Sequence, residues 1–214
     1  MRAQLTVVVF DLGGVLLDWN PRHMYRKLFN DEASMEHFLA TVCTTAWNQR
    51  QDAGRSFAEG TRALLPDHAD KIALIEAFGK RFDEMIAGEI DGAVEVLAEL
   101  KQRGVPVYAI TNWSAETFGP QRTRFPFLSW FDGIVVSGME GVIKPDPRIF
   151  RILFERHGVA PGSAVFIDDV AGNASAATAL GMHGIHFHSP EQLRRELVAV
   201  GLLPRNPTNR LVPD

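Results

Sequence analysis

The strongest hydrophobic signal in the chain is Val7-Val8-Val9-Phe10, which runs directly into Asp11-Leu12-Gly13-Gly14. Four consecutive β-branched or aromatic residues cannot alternate between core and solvent. The run therefore predicts a strand covered on both faces, as in the centre of a parallel sheet. A carboxylate just beyond such a strand is costly to desolvate unless it has a partner or a task. Gly13-Gly14 lets backbone N–H groups come close to a ligand in the crevice where open α/β sheets bind them.

From Asp18 to Gly88 the apolar period becomes helical. Asn20-Pro21 offers an N-cap and a proline at the first helical position, with Met24, Leu28 and Phe29 following. Met35, Phe38, Leu39 and Val42 continue the period. Ser56 and Glu59 form a capping-box pair before Thr61, Leu64 and Leu65, and beyond Pro66 the set Ile72, Ile75, Phe82 and Ile86 predicts one more amphipathic helix. The expectation is an all-helical insertion over 18–88, core segments over 1–17 and 89–203, and an aperiodic tail over 204–214.

Past Gly88 helices and strands alternate. Asp91 reads as the cap of a helix carrying Val94, Leu97 and Leu100, and strands are predicted over Val105–Ile110, Gly133–Val136, Ala164–Ile167 and Ile185–Phe187. Helices are predicted to open at Asp146-Pro147 and Ser189-Pro190, with another through Ala174–Leu180. Such alternation implies right-handed crossovers and a parallel sheet with helices on both faces. The fold class is thus α/β, a Rossmann-like sheet with a helical insertion.

Composition narrows the function. At 214 residues and 46% hydrophobic content the chain can bury a substantial core. A net charge of -4 with scattered Lys and Arg provides no basic field, so nucleic acid is not an expected partner. The single Cys43 and the absence of a long apolar run predict a cytoplasmic protein without a membrane partner, as a monomer or homodimer. His183, His186 and His188 read as surface histidines of an edge strand.

Three predicted strands end in polar groups: Asp11, Thr111-Asn112 and Asp168-Asp169. In a parallel sheet these ends share one edge, so the groups converge. Clustered carboxylates repel unless a cation neutralises them, and hard oxygen ligands suit Mg²⁺. Lys144, in Gly141-Val142-Ile143-Lys144-Pro145, adds a positive charge. In the insertion, TAWNQRQDAGR offers Trp47 and Asn48 to a sugar, with helix packing the competing reading for Trp47.

Asp11 in FDLGGVL, Thr111-Asn112 in AITNWS, Lys144 in GVIKPDP and Asp168-Asp169 in VFIDDVAGNASAA resemble the four ordered motifs of the haloacid dehalogenase superfamily. The resemblance spans about residues 6–188 and places the insertion where that family carries a C1 cap. The DLG form of the first motif is similar to a subgroup including bacterial glucose-1-phosphate phosphatases and the phosphatase domain of soluble epoxide hydrolase. The resemblance implies a Mg²⁺-dependent phosphatase acting on a small phosphorylated metabolite, with a sugar phosphate the expected class. Asp11 would be the nucleophile. Thr111 Oγ, the N–H groups of Asn112, Leu12 and Gly13, and Lys144 would hold the phosphoryl oxygens. Mg²⁺ would sit among Asp11, the Gly13 carbonyl and Asp169, with Asp168 behind them.

One position departs from the family pattern. The second Asp that serves these phosphatases as acid and base, two residues after the nucleophile, is here Gly13, and Asp18 and Asp52 are the candidate replacements. Two other readings compete. A 2-haloacid dehalogenase would use the same Asp11 on carbon, but usually carries Ser and Asn types where this chain has Asp168-Asp169. A non-catalytic phosphate-binding protein would have no evident reason to retain the acidic cluster.

Overall fold

The computed structural model describes residues 4–205, so the expected tail lies outside the described residues from residue 206 onward. In chain order the elements are β1 Val7–Phe10, β2 Leu17–Trp19, α1 Pro21–Tyr25, α2 Glu32–Thr41, α3 Thr45–Asp52, α4 Phe57–His68, α5 Ile72–Lys80 and β3 Ile86–Glu89. There follow α6 Asp91–Gln102, β4 Val107–Thr111, α7 Ala115–Arg124, β5 Gly133–Val136, α8 Ser137–Glu140, α9 Pro147–His157, β6 Ala164–Asp168, α10 Ala171–Ala179, β7 His183–His186 and α11 Pro190–Ala199.

Five strands form one parallel sheet in the order β5-β4-β1-β6-β7, with β1 central as its apolar run requires. Val8 and Phe10 enter a core shared with Leu97 of α6, Leu193 of α11 and the helical insertion, while Val9 joins Ile149, Phe150 and Ala177 on the opposite face. This alternation covers both sides of the strand with helices. In register Phe10 lies beside Ala109 and Ile167, so the C-terminal ends of β4, β1 and β6 are adjacent.

Local chemistry explains most helix starts. The side chains of Asn20, Asp31, Thr44, Ser56, Asp146 and Ser189 accept a backbone N–H at their helix N-termini, and the Ser56/Glu59 capping box is complete. Asp91 departs from expectation: it is the first residue of α6, and the cap position is Ile90.

Other differences concern proline and strand ends. Pro66 lies inside α4 instead of ending a helix. The expected Ile72–Ile86 helix stops at Lys80, and Ile86 lies on β3, which pairs antiparallel with β2. The stretch 18–88 is therefore not all-helical; its two connections to the sheet are bound to each other, with Asn20 N donating to Met85 O and Ile90 N to Leu16 O. Sequence periodicity also passed over α7 and α8. Pro120 interrupts the pattern of α7, and α8 is only four residues long.

Candidate active site

Asp11 follows β1 directly, and its N–H donates to Ile167 O at 2.8 Å, extending the strand pairing by one residue and fixing the carboxylate's origin. Leu12 N donates to Asp11 Oδ1 at 2.7 Å. Lys144 is buried between strands: its Nζ lies 2.7 Å from Asp11 Oδ2 and 2.7 Å from Asp168 Oδ2, and donates to Ile110 O at 2.9 Å. All three N–H bonds of the ammonium are thereby used. Lys144 therefore offers a bound anion its charge and its grip on Asp11, and no spare N–H, which corrects the expectation that it holds phosphoryl oxygens directly.

Asn112 fixes the lysine's backbone, accepting from Lys144 N at 2.8 Å and donating from Nδ2 to Lys144 O at 3.1 Å. Its side chain is committed to that task. Asp168, fully buried, also accepts from Val170 N at 2.9 Å and Asn173 Nδ2 at 3.0 Å, so both of its oxygens already hold protein donors. Asp169 faces solvent.

Asp11, Asp168 and Asp169 each offer a carboxylate oxygen, all within 4.8 Å of one another. Three carboxylates against one ammonium leave an excess of negative charge. Burial pushes Asp11 up to about 7; Lys144 works against this shift, and Asp168 and Asp169 add to it. Burial opposes the charge of Lys144, but Asp11 and Asp168 outweigh it and hold the ammonium above its ordinary value. Asp169 is raised by partial burial and by Asp168. The donor set is hard and anionic, and it fits a small divalent cation. The backbone is shaped around it as well: Gly14 has φ +74°, and a Cβ there would sit 2.3 Å from Asp169 Oδ2.

A cavity of about 570 Å³ opens between the strand ends and the insertion, lined by Asp11, Gly13, Thr111, Asn112 and Asp169 below and by Asn48, Asp52 and Phe78 above. The sequence reading thus brings Asp11, Gly13, Thr111, Asn112, Lys144, Asp168, Asp169, Asn48 and Asp52 into one region. Trp47 is not among the lining residues. Its indole is buried, donates to Gly60 O at 3.0 Å and packs edge-on against Phe78, so the packing reading holds and the substrate-binding one is corrected. Arg55 stays within the insertion, bonded to Gln51 Oε1 and Trp47 O. Asp18 is exposed, pairs with His23 and lines no part of the cavity.

Two lining residues carry an unexpected feature: Trp19 Nε1, a donor, and Asn48 Oδ1, an acceptor, are buried with no hydrogen-bond partner. No pattern in the sequence singles out Trp19, which ends β2 as an ordinary aromatic. Cys43 also reaches the cavity, but burial pushes its thiol up to about 12, so it is no nucleophile. His186, the last residue of β7, donates from Nε2 to Asp169 O at 2.9 Å and meets His188 edge-on, at the sheet edge as expected of surface histidines.

The haloacid dehalogenase-like hydrolase model matches residues 5–181, and the chain belongs to that family. Among curated proteins it is 29% identical over 186 residues to sesquiterpene phosphatase astK of Aspergillus oryzae, covering 84% of this chain and 88% of the relative. It is 27% identical over 178 residues to mouse acyl-CoA dehydrogenase family member 10, where the match covers 81% of this chain but spans only 14% of that much longer protein. A HAD family enzyme of Bacteroides thetaiotaomicron, solved with magnesium and inorganic phosphate, shares the fold at TM-score 0.65 and 21% identity, covering 86% of this chain and 95% of that one. Among the described residues no helix is long and apolar enough to cross a membrane.

Proposed function

We propose that this hydrolase is a Mg²⁺-dependent phosphatase that cleaves a small phosphorylated metabolite, a sugar phosphate, through an aspartyl-phosphate on Asp11. The observation that carries the proposal is the buried Asp11–Lys144–Asp168 ion pairing, with Asp169 beside it, at the floor of a cavity sized for a small metabolite. The magnesium and phosphate in the Bacteroides enzyme and the phosphatase name of the Aspergillus relative support the same class.

In this reading Asp11, Asp169 and the Gly13 carbonyl would hold Mg²⁺, which when bound would neutralise charge on the phosphoryl oxygens. Lys144 keeps Asp11 turned toward phosphorus and lowers the cost of a dianion nearby. Gly13 and Asn112 present backbone N–H groups, and Thr111 its hydroxyl, to the same oxygens, while the Leu12 N–H steadies Asp11 Oδ1. The helices α1–α5 act as a cap that excludes water during transfer. The unpartnered Trp19 donor and Asn48 acceptor suit the hydroxyl groups of a sugar, each of which donates and accepts.

Phosphate release from p-nitrophenyl phosphate and a panel of sugar phosphates tests the proposal, with Mg²⁺, with EDTA and with Asp11→Asn. Release that needs both Mg²⁺ and Asp11, falling about 10⁴-fold or more in Asp11→Asn, is expected. Release indifferent to Asp11, or halide release from 2-haloacids in EDTA, would defeat it. The sugar assignment has its own check in binding: Asn48→Ala should raise KM for the preferred sugar phosphate about tenfold while leaving KM for p-nitrophenyl phosphate nearly unchanged.

A further inference from the structure

We propose that Asp52, carried by the helical insertion, is the acid and base of the phosphatase reaction, doing from above the work that no side chain can do at Gly13. The inference rests on the phosphatase reading of Asp11.

Its basis is geometric. Asp52 is a buried carboxylic acid on the wall of the cavity that Asp11 floors, and it reaches there from the opposite side, at the last residue of α3. Both carboxyl groups line the same cavity. Its side chain is aimed: Asn48, one turn earlier on α3, donates from Nδ2 to Asp52 Oδ2 at 3.0 Å. Its backbone is pinned separately, since Ser137 Oγ of α8 donates to Asp52 O at 2.5 Å. No lysine or arginine is bonded to the Asp52 carboxyl among the described residues, whereas Lys144 holds both Asp11 and Asp168.

The surroundings favour the protonated form that an acid needs. Burial, and after it the negative charge of Asp11, pushes Asp52 up to about 8, against the opposing influence of the Ser114 backbone and Lys144. The carbonyl-rich C-terminus of α3, where Asp52 sits, also disfavours a negative charge. The other candidate, Asp18, is exposed and lines no part of the cavity.

The steps balance. As Asp11 Oδ forms its bond to phosphorus, the phosphorus–oxygen bond to the substrate alcohol breaks, and the Asp52 proton passes to the departing oxygen. The products are free alcohol, phosphorylated Asp11 and an Asp52 carboxylate. Water then attacks phosphorus, giving its proton to Asp52 as the bond to Asp11 breaks. Inorganic phosphate leaves, and both aspartates return to their starting states.

Asp52→Asn tests this, because it preserves size and leaves the Ser137 bond to the backbone intact. An alkyl phosphate needs the proton on departure, and p-nitrophenolate does not. With p-nitrophenyl phosphate the variant should release about one equivalent of nitrophenolate per enzyme in a rapid burst, then turn over slowly because water activation is lost. With a sugar phosphate it should show no burst and a kcat about 10²–10⁴-fold lower. Equal losses on both substrates without a burst, in a variant that melts like the wild type, would overturn the inference alone. A wild type without Asp11-dependent release would overturn the phosphatase reading and the inference together.

A second arm uses the unaltered enzyme. Across aryl phosphates of decreasing leaving-group acidity, its kcat/KM should fall only shallowly, since the proton is supplied. A steep fall would mean that no acid assists departure.

Discussion

Single residues in this site are set by what stands next to them. Gly14 is the clearest case: at φ +74°, with a Cβ that would meet Asp169 Oδ2 at 2.3 Å, alanine is strained and displaces the proposed cation ligand Asp169. Gly14→Ala should cost more than about 1 kcal/mol in stability and lose most Mg²⁺-dependent activity, measured by denaturant titration and by assay over a range of Mg²⁺. Gly13 is the contrast, since a Cβ there meets only Trp19 Cβ at 3.8 Å and its φ is ordinary. Gly13→Asp placed in the Asp52→Asn background should therefore restore turnover of alkyl phosphates; continued silence on those substrates would show that the lost proton donor cannot be replaced from below.

Asp52 also leaves a mark on stability. Its folded carboxyl, near 8, holds a proton that the unfolded chain releases above about pH 4. The native state thus binds more protons than the unfolded state between those values, so this residue makes stability fall as pH rises from about 4 to about 8, and the loss levels off above that. Asp52→Asn should flatten that slope in pH-dependent urea melts. Asp11, Thr111, Lys144 and the Asp168-Asp169 pair were legible because strand ends and charge mark them in the sequence. Trp19 was not, since its orphaned indole N–H exists only once the cavity closes around it, and Trp47 misled because an aromatic in a polar stretch looks the same whether it faces a ligand or Phe78.

Among the elements, the contact of α3 with α8 and the end of β4 deserves a direct test. Ser137 Oγ accepts from Trp113 N at 2.9 Å and donates to Asp52 O at 2.5 Å, joining the insertion to the sheet through one hydroxyl. Ser137→Ala leaves a buried donor and a buried acceptor without partners, a loss of about 1–3 kcal/mol. Hydrogen exchange in α3 should speed up more than exchange in β1. The strands of the sheet were legible because each is a short apolar run between turn residues. The pairing of β2 with β3 was not, because three- and four-residue strands at the ends of a helical stretch carry no alternation long enough to read.

For the whole molecule, a cation bound at the proposed site would relieve the excess negative charge at the strand ends and so add to folding stability. At Mg²⁺ one hundred times above its Kd, stability should rise by about 2.7 kcal/mol, or roughly 5–10 °C in Tm, and EDTA or Asp169→Asn should abolish the gain. Because burial raises the Asp11 carboxyl above its ordinary value, the apparent Mg²⁺ affinity should rise with pH as that carboxyl ionises and then flatten, as isothermal titration would record.

The paired β2 and β3 strands carry a consequence for catalysis in time. The chain leaves the sheet and returns to it through two segments hydrogen-bonded side by side, so both covalent connections of the insertion lie in one seam, as a page meets its spine. Asn48 and Asp52 ride on the same leaf. On the proposed mechanism, any motion that lifted one from the floor would lift the other, so recognition of the substrate and delivery of its proton would be granted and withdrawn together.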